Sequence, residues 1–350
     1  MEHADQLATW LTARLDDVDS VAIGEVEIPS GGYSAETLIV PVTLSRNRGT
    51  SYEHIVIRRE TPEPPVYPVQ VPVENEIEIQ WRVMSALADV ADPAVPIAPL
   101  LGYEPDPKHL GAPFFAMGFI PGEIPREDPM YVVDGFYVSA QPEQRSSMIR
   151  SGLEVIAGVH GVDIGAADLE WLSPADSTND GRRQLSIWRD YAESELDGRP
   201  HELMMAAFDR LADELPDAQE TVLTWGDARL GNVIWQDFRP ACVTDFEAAA
   251  LAPPEMDVGW WLMFEQWAYA SAGIDPFPGS LSADDQVAHY EAVSGRTLGP
   301  IGPWVLFAAA RYAAIVVRVM NRMVTRGLLP ADQTIYLDPI APVLAPLMER

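Results

Sequence analysis

The sequence predicts an α+β protein built as two lobes, a smaller β-rich one followed by a mainly helical one. Three patterns lead to this reading. Short apolar runs of strand length, parted by turn residues, dominate residues 20–60. Beyond about residue 141, apolar residues recur at helical spacing. One short β segment, 222–246, is embedded among those helices. Strands and helices are therefore segregated, as in α+β proteins, and do not alternate as in βαβ units. A chain of 350 residues is long enough for one large domain or two lobes with a sizeable core.

Leu7, Trp10, Leu11 and Leu15 mark an amphipathic helix over 4–17. Residues 21–29, apolar but interrupted by Glu25 and Glu27, read as a strand. Ser30-Gly31-Gly32-Tyr33-Ser34 is a turn. Strands follow at 37–44 and 52–59, joined by a polar connection containing Gly49. Proline-rich residues 61–72 form a loop. Ile77, Trp81, Met84 and Leu87 give a helix over 73–91. A proline-punctuated stretch, 92–113, leads to a strand at 114–120. Pro121-Gly122 marks the break between lobes, so the expected division is 1–120 and 121–350. Helices are expected at about 141–161, 181–196, 201–214, 256–271, 283–294 and 302–326.

Composition narrows the function classes. Hydrophobic residues make up 47% of the chain, which rules out wholesale disorder. Acidic residues number 53 against 23 basic, a formal net charge of −30, and Lys108 is the only lysine. Such a chain lacks the basic face that phosphate backbones and anionic membranes require, so no nucleic acid and no membrane is expected as a partner. The lone Cys242 excludes an intramolecular disulfide framework and a cysteine-rich metal site. The N-terminus has no basic region leading into an apolar run. The most apolar stretch, 301–320, is interrupted by Arg311 and Arg318 and reads as a buried helix. A soluble cytoplasmic protein is expected.

The chemistry concentrates in Trp225-Gly226-Asp227-Ala228-Arg229-Leu230-Gly231-Asn232. Val233-Ile234-Trp235, a turn and Cys242-Val243-Thr244-Asp245-Phe246-Glu247 follow. Protein-kinase catalytic loops have the same Asp-to-Asn spacing, with a metal-binding Asp downstream. A tight antiparallel hairpin would bring Asn232 beside Asp245, and two hard oxygen ligands there can hold Mg2+ against a triphosphate. Asp227 is placed to accept the proton of an attacking hydroxyl. Arg229 is placed to offset charge on the transferred phosphoryl group. Asp and Asn are also common turn residues, but all three at this spacing with apolar strands between them are hard to read that way.

The first lobe offers the other half of a nucleotide site. Gly31, Gly32 and Ser34, between two strands, would let backbone N–H groups approach phosphates. Ile55-Val56-Ile57-Arg58 parallels the third-strand Val-Ala-Ile-Lys of kinases. Strand alternation puts Val56 and Arg58 on one face and Ile55, Ile57 and Arg59 on the other. Val56 would then cover a base while Arg58 meets phosphates. Glu76, on the following helix, is the acid expected to orient that cation, with Glu78 and Gln80 nearby. Met117, Phe119 and Ile120 lie where a strand runs into an interlobe linker, whose backbone in kinase-like folds hydrogen-bonds adenine.

These motifs, with the Pro-Pro-Glu-Met-Asp-Val-Gly-Trp-Trp stretch at 253–261, resemble the aminoglycoside phosphotransferase, or choline-kinase-like, family of small-molecule kinases. Within it they resemble an actinobacterial branch, which is also similar to the kinase-like domain fused to some acyl-CoA dehydrogenases. The resemblance covers roughly residues 20–330. It implies a bilobal protein-kinase-like fold, ATP in the interlobe cleft, Mg2+, and phosphorylation of a hydroxyl on a small molecule. Asp227 then matches the catalytic base, Asn232 and Asp245 the metal ligands, and Arg58 the phosphate-binding lysine. Asp257 matches an acid that braces the catalytic loop. Three positions depart from the pattern. Trp225 stands where the family commonly has a structural His, Arg58 where it has Lys, and Glu247 where protein kinases have the Gly of Asp-Phe-Gly. Only eleven residues, 246 to 256, separate Asp245 from Asp257, too few for a long activation loop. That points to a small-molecule acceptor.

The acceptor itself is not legible. An aminoglycoside is one option and a hydroxyacyl-CoA another. Arg311, Arg318 and Arg322 form one stripe of the last long helix. They would favour an anionic acceptor if they faced the cleft, although pairing with acids is the simpler reading. Two other functions compete with a kinase. A catalytically idle nucleotide-binding module would explain Arg58 and Trp225, but it would not need Asp227, Asn232 and Asp245 together. A metal-dependent phosphoesterase would need a ligand cluster, and the six histidines are scattered. ATP versus GTP and the oligomeric state stay open.

Overall fold

In the first lobe, helix α1 (Ala4–Thr12) buries Leu7, Trp10 and Leu11. Strands β1 (Ser20–Ile23), β2 (Glu36–Arg46) and β3 (Gly49–Arg59) follow. Next come helix α2 (Glu76–Asp89) and strands β4 (Leu100–Glu104) and β5 (Phe114–Gly118). The computed structural model describes all residues except 1–2, 30–34, 72, 74, 91–94, 175–177, 179, 216–219, 331–338 and 350. Among the described residues the lobe carries one five-stranded antiparallel sheet in the order β1-β2-β3-β5-β4. Period-two alternation decides its two faces. Leu38, Val40, Val42 and Leu44 of β2 join Ile55 and Ile57 of β3 and Phe114 of β5 in an outer cluster against α1. Val56, Phe115 and Met117 point the other way, into the main core with Ile77, Val83, Met84 and Leu87 of α2.

The second lobe opens with α3 (Phe136–Ser139), α4 (Pro142–His160), α5 (Gly181–Leu196) and α6 (Glu202–Glu214). Two small ribbons follow. β6 (Val222–Thr224) pairs with β9 (Ala250–Ala252), and β7 (Val233–Gln236) pairs with β8 (Arg239–Val243). Helices α7 (Glu255–Ala272), α8 (Ala283–Ser294), α9 (Gly302–Thr325) and α10 (Ala341–Met348) complete it. α9 is long and apolar enough to cross a membrane, yet it packs against α5, α6, α7 and α10 and is mostly buried. The α+β, bilobal expectation holds. Strand β4 departs from it, because the sequence reading leaves 92–113 as an irregular connection.

Two connections join the lobes. After β5 the chain passes Gly122, where a Cβ would lie 2.5 Å from Ile234 and 2.7 Å from the Trp235 carbonyl. Only glycine permits this approach, which allows Glu123 and Trp235 to exchange backbone hydrogen bonds of 2.9 and 2.8 Å. The second connection is a strap, residues 61–71, between β3 and α2. Its Glu63 pairs with Arg326 at 2.7 Å and with Arg322 at 3.5 Å. The Pro64 and Pro65 carbonyls accept from Arg322 and Arg318, and the Val66 carbonyl accepts from the Tyr191 hydroxyl. Gln184 Nε2 donates to Gln70 Oε1 at 2.9 Å. Thus Arg318 and Arg322 are engaged with protein groups of the strap, and Arg318 also reaches Glu195 at 3.1 Å.

Candidate active site

The site is assembled by the two ribbons. β6 delivers the chain to Gly226, held at φ +88°, where a Cβ would meet the Ala248 carbonyl oxygen at 2.1 Å. The turn is fixed from below by Asp257, which is fully buried at the start of α7. Its carboxylate accepts from the Trp225 and Gly226 N–H groups at 2.6 and 2.9 Å. His160 of α4 lies 3.0 Å away, and its other ring nitrogen meets the Tyr290 hydroxyl of α8 at 2.7 Å. A buried charge needs such donors to be tolerated. The Asp257–His160–Tyr290 chain therefore ties three helices to one loop.

Asp227 follows, buried and surrounded by donors. Trp260 Nε1 donates to Oδ1 at 2.8 Å, Asn232 Nδ2 to Oδ2 at 2.6 Å, and Arg229 Nε to both oxygens at 3.0 and 3.1 Å. Burial disfavours ionisation of the Tyr67 phenol of the strap, and this carboxylate lies close enough for its negative charge to do the same. Burial pushes Asp227 up to about 6, with Asp245 adding to the rise, while the Trp260 and Asn232 bonds oppose it. Such a group is mostly ionised at neutral pH and still close enough to neutrality to take up a proton.

The β7–β8 hairpin brings Asn232 beside Asp245. Val233 and Val243 are directly paired, and Thr244 donates to the Asn232 carbonyl through its N–H at 3.0 Å and its hydroxyl at 3.1 Å. Asp245 sits in left-handed backbone, φ +58°, a conformation that non-glycine residues adopt at some cost. The Trp225 indole reaches across to the Thr244 carbonyl at 2.8 Å. Its N–H thus links the loop at 225–232 to the strand end that carries Asp245. Because Asn232 spends its amide nitrogen on Asp227, its amide oxygen is the atom left to act as an acceptor or ligand. That oxygen and the Asp245 carboxylate, whose side chain is 28% exposed, are a hard-oxygen pair.

From the first lobe, Arg58 reaches this pair. Its Nη2 lies 2.8 Å from Asp245 Oδ1 and 3.9 Å from Glu247, and its Nη1 donates to Thr37 at 2.7 Å. The acid expected to meet it was Glu76, and here the structure corrects the sequence reading. Glu76 is buried in the first turn of α2, and its carboxyl is raised by burial and by the neighbouring Glu60. Gln80, one turn further on, is the α2 residue that reaches Glu247, at 3.3 Å. The acids paired with Arg58 are therefore Asp245 and, more distantly, Glu247, both from the second lobe, while Glu76 feels its charge without pairing with it.

Val56 pairs with Met117 across β3 and β5 on the inner face of the sheet. Ile120 packs on the main core, whereas Phe119 is 39% exposed and lies against His54 at 5.6 Å. Gly31, Gly32 and Ser34 lie outside the described residues. Arg229, besides holding Asp227, pairs with Glu127 and lies 5.2 Å over the Phe264 ring. Next to it is a small cavity of about 20 Å3, lined by Arg229, Gly231, Tyr131, Phe264, Glu265 and Trp267. Burial raises Glu265 to about 7. Arg311 is sandwiched between Trp188 and Trp260, 4.5 and 4.4 Å from the rings, and donates to the Gly226 carbonyl at 3.1 Å.

Comparison with known proteins fits this geometry. The model of the phosphotransferase enzyme family, APH, matches residues 48–293, well over half of the chain. The chain belongs to the APH phosphotransferase family. Among solved APH-like structures, a provisionally assigned aminoglycoside phosphotransferase of Ralstonia eutropha superposes with a TM-score of 0.69. It is 22% identical, and the match covers 99% of this chain and 95% of that one. A thermostable mutant of aminoglycoside phosphotransferase APH(4)-Ia, in ternary complex with AMP-PNP and hygromycin B, superposes at 0.54 with 12% identity. That match covers 98% and 97% of the two chains. These likenesses establish the bilobal, protein-kinase-like fold. Acyl-CoA dehydrogenase family member 10 of Mus musculus is 28% identical over 193 residues, 54% of this chain. The match spans only 17% of that much longer relative.

Proposed function

We propose that this APH-family chain transfers the γ-phosphate of ATP to a hydroxyl group of a small molecule. The observation that carries the reading is Asp227. It is buried, titrates near 6, and is held by the same hairpin that sets Asn232 beside Asp245. In this scheme the acceptor hydroxyl gives its proton to Asp227 as its oxygen attacks phosphorus. Arg229 keeps the base oriented and adds positive charge beside it. Asn232 and Asp245 would hold Mg2+, whose chemistry when bound is to neutralise phosphate charge. Val56 and Met117 would cover the base, and Arg58 would turn from Asp245 to the phosphates.

In this reading the acceptor approaches on the side of Arg229, where the cavity as it stands holds no more than about a water. The Glu265 and Glu127 carboxyls and the Phe264 and Trp267 rings on that side favour a neutral or cationic alcohol. Arg318 and Arg322 are taken up by the strap and give no support to an anionic one. Aminoglycosides are therefore the first class to try, and hydroxyacyl-CoA thioesters the second. One observation favours an idle nucleotide-binding module, namely that Arg58 already neutralises the Asp245 carboxylate.

A thermal-shift series with Mg2+ and nucleoside triphosphates, followed by ATP consumption over an acceptor panel, separates these readings. The kinase reading expects Mg·ATP to raise the melting temperature by mass action. It also expects Asp227→Asn to keep that shift while losing about 10^2- to 10^4-fold in turnover. A shift without turnover on any acceptor selects the idle module, and no shift with any nucleotide defeats both.

A further inference from the structure

Arg311 is a charge that the second lobe keeps where an apolar side chain would fit. It lies fully buried on α9, its guanidinium held between the faces of Trp188 from α5 and Trp260 from α7. Among the described residues its Nε and Nη1 have no hydrogen-bond partner. Burial lowers it to about 10, with Asp257 and Asp227 among the groups that oppose the fall, so it stays charged at neutral pH. Two indole faces offset part of the cost of burying such a cation, but a methionine would fill the same slot without that cost.

The contacts of the guanidinium supply the reason to keep it. Nη2 donates to the Gly226 carbonyl at 3.1 Å. That carbonyl belongs to the peptide leading into Asp227, and the Gly226 N–H is held by Asp257 at 2.9 Å. Both backbone polar groups of this strained residue are thus gripped. Trp260 is the second arm. Its ring face lies on the guanidinium, 4.4 Å away, and its Nε1 donates to Asp227 Oδ1 at 2.8 Å. The other two arginines of the α9 stripe also hold backbone, since Arg318 and Arg322 donate to the Pro65 and Pro64 carbonyls of the strap.

We infer, on the kinase reading above, that Arg311 is a positioning residue for Asp227. It fixes the peptide that carries the base through Gly226, and the direction of the carboxylate through Trp260. The acceptor hydroxyl must meet that carboxylate within hydrogen-bond reach while in line with phosphorus, and a displacement of about 1 Å costs about 10^2-fold in rate. Buried behind the loop, Arg311 has no surface to offer nucleotide or acceptor. Its effect therefore falls on turnover and leaves nucleotide binding alone.

The test reads ADP released from Mg·ATP by the full chain with water as the acceptor, a reaction that needs no identified alcohol. A water oxygen bonds to the γ-phosphorus, the bond from that phosphorus to the β–γ bridging oxygen breaks, and the water proton passes to Asp227. Arg311→Met keeps apolar bulk between the indoles. It is expected to lower kcat about 10^2-fold, with the KM for ATP and the Mg·ATP thermal shift as in the unaltered chain. Arg311→Lys keeps a charge and a donor for Gly226 but cannot lie flat on both rings, and it should recover about tenfold of the loss. A lower melting temperature with kcat unchanged in both variants would make Arg311 a packing residue and overturn the inference. So would a KM for ATP that rises while kcat holds. If Arg311→Met does not fold, Arg311→Lys decides alone: kcat about tenfold low at unchanged KM supports the inference, and kcat equal to that of the unaltered chain overturns it. A Mg·ATP shift without turnover in the unaltered chain, or no shift at all, removes the kinase reading and this inference with it.

Discussion

Asp227 is an unusual carboxylate because water has been replaced around it by indole, amide and guanidinium donors. Each donor tunes it, so removing one has a calculable sign. Trp260 Nε1 stabilises the charged form. Trp260→Phe should therefore move the acid limb of the kcat–pH profile above pH 6, so that turnover falls more at pH 6 than at pH 8. An equal loss at both pH values would mean that the indole serves packing alone. At this scale the sequence is readable only where spacing encodes chemistry. Asp227, Asn232 and Asp245 stand out because a hairpin of fixed length must separate them. Asp245 and Glu247 take the place expected of Glu76 beside Arg58 for a reason that spacing does not reveal: which α2 residue meets the second lobe depends on how that helix is docked.

Among the elements, the β6–Gly226 turn carries the most constraint. Gly226 combines positive φ with a carbonyl 2.1 Å from any added Cβ. Gly226→Ala should destabilise the fold by ~2 kcal/mol or more, seen as a lower urea midpoint, because strain at such positions alone costs ~1–3 kcal/mol. An unchanged midpoint would show that the loop can move away from Ala248. Helices α5, α6, α8 and α9 are legible almost to the residue, since their apolar stripes repeat over several turns. β4, β9 and α10 are not. β4 is five residues long, contains Gly102 and a register shift, and lies between prolines. β9 has three residues, too few for alternation to register. α10 carries an internal proline.

For the molecule as a whole, the segregation of strands from helices was enough to give the two-lobed α+β architecture. What joins the lobes was not, because the strap is held by backbone carbonyls and arginines whose pairing is settled only in three dimensions. Ionisation also acts globally. Burial raises Asp227 to about 6 and Glu265 to about 7, and raises Glu76 as well, against ordinary values of 3.8 and 4.5. Each binds a proton more tightly in the folded chain than in the unfolded one. The folded state therefore gains stability as pH falls from about 8 toward 5, while the surplus of negative charge, −30 at pH 7, also shrinks. Calorimetry should find a higher melting temperature at pH 5.5 than at pH 8, and the opposite order would mean that these carboxyls are well solvated. Arg58 has one more consequence. On the proposed kinase reading the guanidinium takes the phosphate-gripping place, and the chain's single lysine, Lys108, is 63% exposed beside Asp106 on the β4–β5 connection, so no lysine stands at that position. Acylating nucleotide probes that tag kinases through a cleft lysine would pass over this chain, and a covalent inhibitor for it would have to be built on some other nucleophile.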